Sequence, residues 1–295
     1  MQVSLKKKAI QKTRIPEGNI FAIRELQDKH FDTTWHAHLE YQLFLVMEGT
    51  GTKFIGNTVK PFDKGDLTFL GPNIPHLWRS DESYFEQQSA KTSRGLVIYF
   101  NGAALGQLME KEEFTQLRTL LEKVRHGMEI YGKSAKETAL LMHELLYLHG
   151  MERVIHLLRI FDLLAKSKEY HLLHDDVVFY QPKDMETNRI NTVYNYAAQR
   201  FRHKITLEEV STLLNMTPTS FSRYFTMKTS KSFSYFLTEL RIRNACKLLS
   251  TDEAKNIAQI CYESGFNTLS NFNKQFKTFI GMTPTEYRQK FLLTL

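Results

Sequence analysis

The 295-residue chain is 42% hydrophobic, the content of a soluble globular protein, and is long enough for two ordinary domains with separate cores, which excludes disorder throughout. Its longest clean apolar run near the middle, Leu96–Phe100, falls far short of the roughly 20 residues that span a bilayer. The Lys6-Lys7-Lys8 run has no apolar stretch behind it, so neither a membrane span nor a secretory signal is expected and the chain is placed in the cytoplasm. The net charge of +7 sits wholly at the back: residues 1–185 hold 24 basic and 24 acidic side chains, residues 186–295 hold 15 and 8. A neutral front and a basic back suggest that the back meets a polyanion while the front does something else.

From about Asn19 to Phe100 the sequence is rich in aromatic and β-branched residues. Short runs at Tyr41–Met47, Thr52–Ile55, Asp66–Leu70 and Leu96–Phe100 are divided by turn signals at Gly49-Thr50-Gly51, Gly56-Asn57, Lys64-Gly65-Asp66 and Gly71-Pro72-Asn73. Many short, closely spaced strands predict a β-sandwich or small barrel over residues 1–102. Within it, His36 and His38 alternate on a predicted strand with Glu40 two residues further along the same face, and His76 follows a separate turn. Three imidazoles and a carboxylate would hold a divalent transition metal if they converged, or would hydrogen-bond a ligand or their own surroundings without one.

Helical spacing takes over after Gly102. Leu105, Leu108 and Met109, then Leu117, Leu120, Leu121 and Val124, then Leu141, Leu145, Leu148, Val154, Leu157, Leu158 and Phe161 mark residues 103–184 as helical, ending in a linker at His174–Thr187 that contains Pro182. The apolar stripe would cap the sandwich or pair with a second copy of the chain. Cys246 and Cys261, the two cysteines, fall on apolar helix faces and read as buried reduced thiols.

Residues 185–295 contain an internal repeat. Leu207, Val210, Ser211 and Asn215 correspond to Ile257, Ile260, Cys261 and Gly265; beyond the turn, Phe221, Arg223, Phe225 and Ser232 correspond to Phe272, Lys274, Phe276 and Thr283. Two steeply crossing helices need a small residue at their approach and, four positions later, one that tolerates positive φ. Ser211 with Asn215, and Cys261 with Gly265, meet both demands, so each repeat is read as a helix-turn-helix. Thr217-Pro218 and Asn267 are the expected entries to the second helices. A continuous helix over Phe233–Leu249, apolar mostly on one side, would join the units.

Phe221 with Phe225, and Phe272 with Phe276, face inward. The opposite faces carry Thr219, Ser222 and Arg223 in the first unit and Leu269, Ser270, Asn273 and Lys274 in the second. Arg and Lys donate to guanine, Asn pairs with adenine, and Thr or Leu meets a thymine methyl, so these are the expected base-contacting residues. Lys228, Lys231, Arg241, Lys255 and Lys277 surround them as candidate phosphate contacts.

Thr206-Leu207-Glu208-Glu209-Val210, Met216-Thr217-Pro218, Phe221-Ser222-Arg223-Tyr224-Phe225, Ser264-Gly265-Phe266 and Gly281-Met282-Thr283-Pro284-Thr285-Glu286-Tyr287-Arg288 closely resemble the AraC/XylS family of bacterial transcription regulators over about 105 residues. Asn215 departs from the family's usual glycine and tolerates the left-handed backbone at a small stability cost. More loosely, Trp35-His36-Ala37-His38-Leu39-Glu40, Pro61-Phe62-Asp63-Lys64-Gly65-Asp66 and Gly71-Pro72-Asn73-Ile74-Pro75-His76 resemble a cupin-type sensor domain. The resemblance implies an α+β multidomain protein: a jelly-roll-like barrel, then helices, then an all-α domain with two helix-turn-helix units. It further implies an activator that binds double-stranded DNA, works with RNA polymerase, forms a homodimer and senses a small molecule, such as a sugar, in the barrel. His36, His38, Glu40, Tyr41, His76 and Trp78 are the expected ligand-binding residues, and no cofactor is expected beyond a divalent metal at His36, His38, Glu40 and His76. The alternatives are a ligand-independent DNA-binding factor whose barrel only dimerises, and a metal-dependent cupin enzyme fused to a DNA-binding domain. No paired nucleophile and base or glycine-rich phosphate loop is recognisable, so no enzyme activity is expected.

Overall fold

Side-chain alternation sorts the front of the chain into two antiparallel sheets. The structure is a computed structural model that describes residues 15–292 apart from 17, 32, 175–183, 230 and 253; the Lys6-Lys7-Lys8 run and most of the expected linker lie outside the described residues. Strands β1 (Phe21–Asp28), β2 (Tyr41–Glu48), β3 (Gly51–Ile55), β4 (Thr58–Phe62), β5 (Leu67–Leu70), β6 (His76–Ser80) and β7 (Ser93–Phe100) are followed by α1 (Thr115–Val124), β8 (Met128–Ile130), α2 (Gly132–Leu145), α3 (Gly150–Lys166) and β9 (Tyr170–Leu172). The larger sheet runs β1-β7-β2-β5-β8-β9 and the smaller β4-β3-β6. The helical segment after Gly102 is therefore woven into the sandwich, because β8 pairs with β5 and β9 with β8.

Period-2 alternation gives the larger sheet two apolar faces. Leu43, Leu45, Leu67, Phe69, Leu96, Ile98 and Phe100 pack against Leu117, Leu121, Ile160, Phe161 and Leu164 of the helices, with the Phe100 and Phe161 rings 5.0 Å apart. The apolar helical stripe thus covers the sheet. Phe44, Val46, Leu70, Val97 and Tyr99 point the other way and meet Ile55, Phe62 and Trp78 of the smaller sheet, filling the space between sheets with side chains.

That interior also holds an ionic cluster. Lys53 is 1% exposed; its ammonium pairs with Asp66 and lies 2.7 Å from Glu129, which Lys60 also reaches at 2.6 Å. Burial works to raise the Glu129 carboxyl, but the Lys53 and Lys60 ammoniums hold it down to about 2; the more deeply buried Asp66, sharing Lys53 with Glu129, is pushed up by burial. Folding lowers the Glu129 pKa from 4.5, so the folded chain binds fewer protons there than the unfolded chain. Its contribution is complete above that pH and is lost as pH falls toward about 2. Glu129→Gln is expected to flatten the pH dependence of urea unfolding in that window; an unchanged slope would show that Glu129 titrates alike in both states.

The outer face of the smaller sheet carries the back of the chain. Helices α4 (Asp184–Arg200), α5 (Leu207–Leu213), α6 (Pro218–Thr229), α7 (Phe233–Thr251), α8 (Ile257–Glu263), α9 (Leu269–Ile280) and α10 (Pro284–Leu292) form the C-terminal region. Trp35, Phe54, Val59 and Leu77 enter one core with Ile190, Val193, Tyr194, Phe225 and Phe236, and Arg79–Asn195, Arg202–Glu82 and Lys247–Asp81 bonds flank it. The order of layers is helices, large sheet, small sheet, C-terminal helices. Among the described residues no helix is long and apolar enough to cross a membrane.

Candidate functional site

Each helix-turn-helix is built by local chemistry. Thr206 with Glu209 closes a capping box on α5, and Asn256 with Gln259 does the same on α8. Asn215 and Gly265 take positive φ at 54° and 84°, as their spacing predicts. The expected cap at Asn267 shifts by one residue: Thr268 accepts the Asn271 N–H and α9 starts at Leu269. Phe221, Phe225, Phe272 and Phe276 are fully buried. The linking helix is not apolar on one side. Phe233, Phe236, Leu237 and Leu240 serve the first unit's core, and Ile242, Ala245, Cys246 and Leu249 serve the second's, so α7 changes face midway. Cys246 and Cys261 are buried and free, and burial pushes the Cys246 thiol up to about 11.

Gly265 is held by more than its dihedral angle. A Cβ there would lie 2.5 Å from the Phe201 carbonyl oxygen and 2.9 Å from Arg202 Cα, whereas one at Gly281, with φ 82°, meets nothing within 4 Å. Gly281→Ala is expected to cost about 1–2 kcal/mol for the left-handed backbone alone. Gly265→Ala should cost clearly more in the same urea titration; equal costs would show that the turn yields freely.

The outward faces match expectation in exposure. Thr219 and Arg223 on α6, and Leu269, Ser270, Asn273 and Lys274 on α9, are exposed, with Ser222 half-buried. Three of the surrounding cations have side-chain or backbone partners that can be named. Lys231 pairs with Glu239 at 2.6 Å, and Lys255 with Glu263 at 2.7 Å and Asp252 at 3.2 Å. Arg241 donates to the Phe201 and His203 carbonyls, tying α7 to the chain after α4. These three expected phosphate contacts have partners within the fold. Lys277 is exposed and Lys228 half-buried beside the reading helices.

The histidines also converge, by a different route from the one predicted. His36 and His38 do not lie on a regular strand; His36 forms a single antiparallel bridge with His76, with His36 N–H donating to His76 O at 3.2 Å and His76 N–H to His36 O at 2.8 Å. One ring nitrogen from each of His36, His38 and His76 lies within 4.8 Å of the other two. The Nδ1 atoms face carbonyls: Thr34 at 2.7 Å, Glu40 at 3.0 Å and Ile74 at 2.7 Å, respectively. A carbonyl only accepts, so each Nδ1 carries a proton. Burial, reinforced by His36 and His38, holds His76 well below the usual histidine range, and its Nε2 is buried without a hydrogen-bond partner.

Two of the expected ligand residues stand elsewhere. Glu40 meets His38 from the Nδ1 side at 3.4 Å, so it orients that ring and does not join the Nε2 cluster. Its carboxyl, which burial alone would raise, is lowered by the His38 bond. Tyr41 starts β2 pointing to the helical side, against Phe69 and Phe100. Trp78 stays near, 5.6 Å from the His76 ring. Sequence reasoning missed Gln42, buried with Oε1 3.1 Å from His38 Nε2; extending the alternation of 38 and 40 by one step would have found it.

The chain matches the AraC-like ligand binding domain over residues 18–149 and a helix-turn-helix domain over residues 210–290. It is 26% identical over 157 residues to an HTH-type transcriptional regulator of Staphylococcus aureus strain MSSA476, covering 45% of this chain and 21% of that protein. It is 27% identical over 109 residues to the HTH-type regulator YdeC of Bacillus subtilis, 37% of either chain. The chain thus spans about a fifth to two-fifths of the length of these curated relatives. Among solved structures it is similar to the C-terminal domain of AraT, a response regulator from Geobacillus stearothermophilus, at 30% identity over 35% of this chain and 84% of that one, TM-score 0.33. It is also similar to ToxT from Vibrio cholerae, at 14% identity over 92% and 98%, TM-score 0.35. With a ligand-binding domain matched ahead of a matched helix-turn-helix domain, the chain belongs to the AraC/XylS family of transcription regulators.

Proposed function

We propose that this protein is a sequence-specific DNA-binding transcription regulator, an activator acting as a homodimer with RNA polymerase, whose reader is gated by a small effector in the sandwich of residues 1–102 and its helical continuation to 184. The observation that carries this reading is the pairing of two exposed helix faces, Thr219, Ser222 and Arg223 on α6 with Leu269, Ser270, Asn273 and Lys274 on α9, on opposite ends of one helix. The 19 residues of α7 span roughly 28 Å at 1.5 Å per residue, close to the roughly 34 Å repeat of the major groove. One chain then reads a non-palindromic site in two blocks. Lys228 and Lys277 supply phosphate contacts beside them.

Gating is supported by the shared core between Trp35, Phe54, Val59 and Leu77 and the reader's Tyr194 and Phe236, which ties sandwich and reader mechanically. Retention of randomised duplex DNA by the full chain, followed by sequencing, tests the proposal. Two preferred blocks about one helical turn apart are the expected result. Retention without sequence preference would sink sequence-specific reading.

A further inference from the structure

The two helix-turn-helix units have separate cores joined by one helix. Leu240 of α7 belongs to the first unit's core and Ile242 to the second's, so Arg241 stands where the helix passes from one to the other. A long helix is rarely straight by itself, and two units hung on its different faces keep one separation only if a second tie resists bending. Arg241 makes such a tie: its Nε–H donates to the Phe201 carbonyl at 2.7 Å and its Nη2 to the His203 carbonyl at 2.8 Å. We propose that Arg241 is a positioning residue that clamps the loop of residues 201–203 onto the Gly265 turn, holds α6 and α9 in one fixed register, and thereby sets the block spacing accepted in DNA. The spacing half alone rests on the DNA-binding reading above.

The loop is wedged between the units. It follows α4 and precedes α5 of the first unit, yet it lies against the second. A Cβ at Gly265 would come within 2.5 Å of the Phe201 carbonyl oxygen and 2.9 Å of both Arg202 Cα and Arg241 Nε. The repeat itself marks this contact. Asn215, the equivalent turn residue of the first unit, takes the left-handed backbone and is exposed, whereas Gly265 is buried. The left-handed angle admits an asparagine; the approach of the loop demands a glycine.

The clamp is specific to arginine. A planar guanidinium carries its N–H donors in a rigid fork, and two of them here hold carbonyls two residues apart. A lysine ammonium keeps the charge without the fork. From the other side the loop is anchored by α4, whose Tyr194 packs on Trp35 at 4.8 Å and whose Asn195 accepts from Arg79 at 3.2 Å. A fixed connection between two binding modules favours the one spacing that matches it and disfavours others. One inserted base pair turns the second block by about 34° and moves it by about 3.4 Å.

The test compares the full chain with its Arg241→Lys variant. Spin labels at Thr226→Cys on α6 and Thr278→Cys on α9, both exposed, report the distance between these helices without DNA, while the buried Cys246 and Cys261 stay unlabelled. A narrow distance distribution that broadens in Arg241→Lys is expected; equal widths overturn the clamp. Duplexes then carry the two selected blocks one or two base pairs nearer or further apart than preferred. The parent should lose about 10-fold in affinity per step, and Arg241→Lys less than about 3-fold, with the preferred spacing bound about 10-fold more weakly and each block alone bound as before. The same spacing preference in both proteins overturns the spacing role. If Arg241→Lys matches the parent while Arg241→Ala weakens all duplexes alike and lowers the salt dependence by about one counterion, Arg241 is a phosphate contact and the proposal falls. Loss of single-block binding in Arg241→Lys also overturns it, because a tie between two separately folded units can be lost without losing either. If the parent binds no duplex, it is the proposed function that fails, and the label distances still decide the clamp.

Discussion

Replacing Lys53 by alanine is expected to destabilise the protein by about 3–5 kcal/mol, the cost of breaking a buried ion pair by removing one partner. Its ammonium is the shared counter-charge of Asp66 and Glu129 and also donates to Thr68 at 3.1 Å. Glu129 keeps Lys60 in the variant, but among the described residues Asp66 keeps the Thr68 hydroxyl alone as a side-chain donor. The loss should appear as a lower urea midpoint with an unchanged slope. Combining Lys53→Met with Asp66→Leu should recover part of it, because removing both charges removes the desolvation penalty as well as the attraction. A Lys53→Ala variant within about 1 kcal/mol of the parent would mean that water reaches the cluster.

Arg223→Ala and Lys274→Ala should each lower affinity for the selected duplex by about 1–3 kcal/mol and relax preference in different blocks, because bidentate or charge-assisted contacts to a base edge are worth that much. Arg223 lies on α6 and Lys274 on α9, both exposed. The informative comparison is Lys277→Ala, which as a phosphate contact should weaken all sequences alike and reduce the salt dependence of binding by about one counterion. If Arg223→Ala lowers affinity evenly across sequences, it too holds phosphate and the reading face must be redrawn.

Lys231 and Arg241 show that a charge near a reading helix can also find a partner within the fold. In the sequence they are basic residues beside a repeat. In the fold, Lys231 meets Glu239 on the first turns of α7, and Arg241 reaches back 40 residues to the Phe201 carbonyl. The histidines show the converse. His36, His38 and His76 were recognisable as a group, but the expectation of a strand placed Glu40 with them. The chain instead turns before β2, which sends Glu40 to the Nδ1 side of His38 and brings Gln42 to its Nε2.

Features that act over a few residues are legible in the chain alone. The capping boxes at Thr206 and Asn256, the positive φ at Asn215 and Gly265 and the buried Phe221, Phe225, Phe272 and Phe276 all follow from hydrogen bonds and side-chain spacing within one or two turns. Long-range packing sets which face of the small sheet docks on α4, that β8 and β9 complete the large sheet, that Lys53 is buried between Asp66 and Glu129, and that Trp35 rests on Tyr194. Those pairings join residues from tens to more than a hundred positions apart, and an apolar strand or a lone charge carries no local mark of the partner that long-range packing will bring to it.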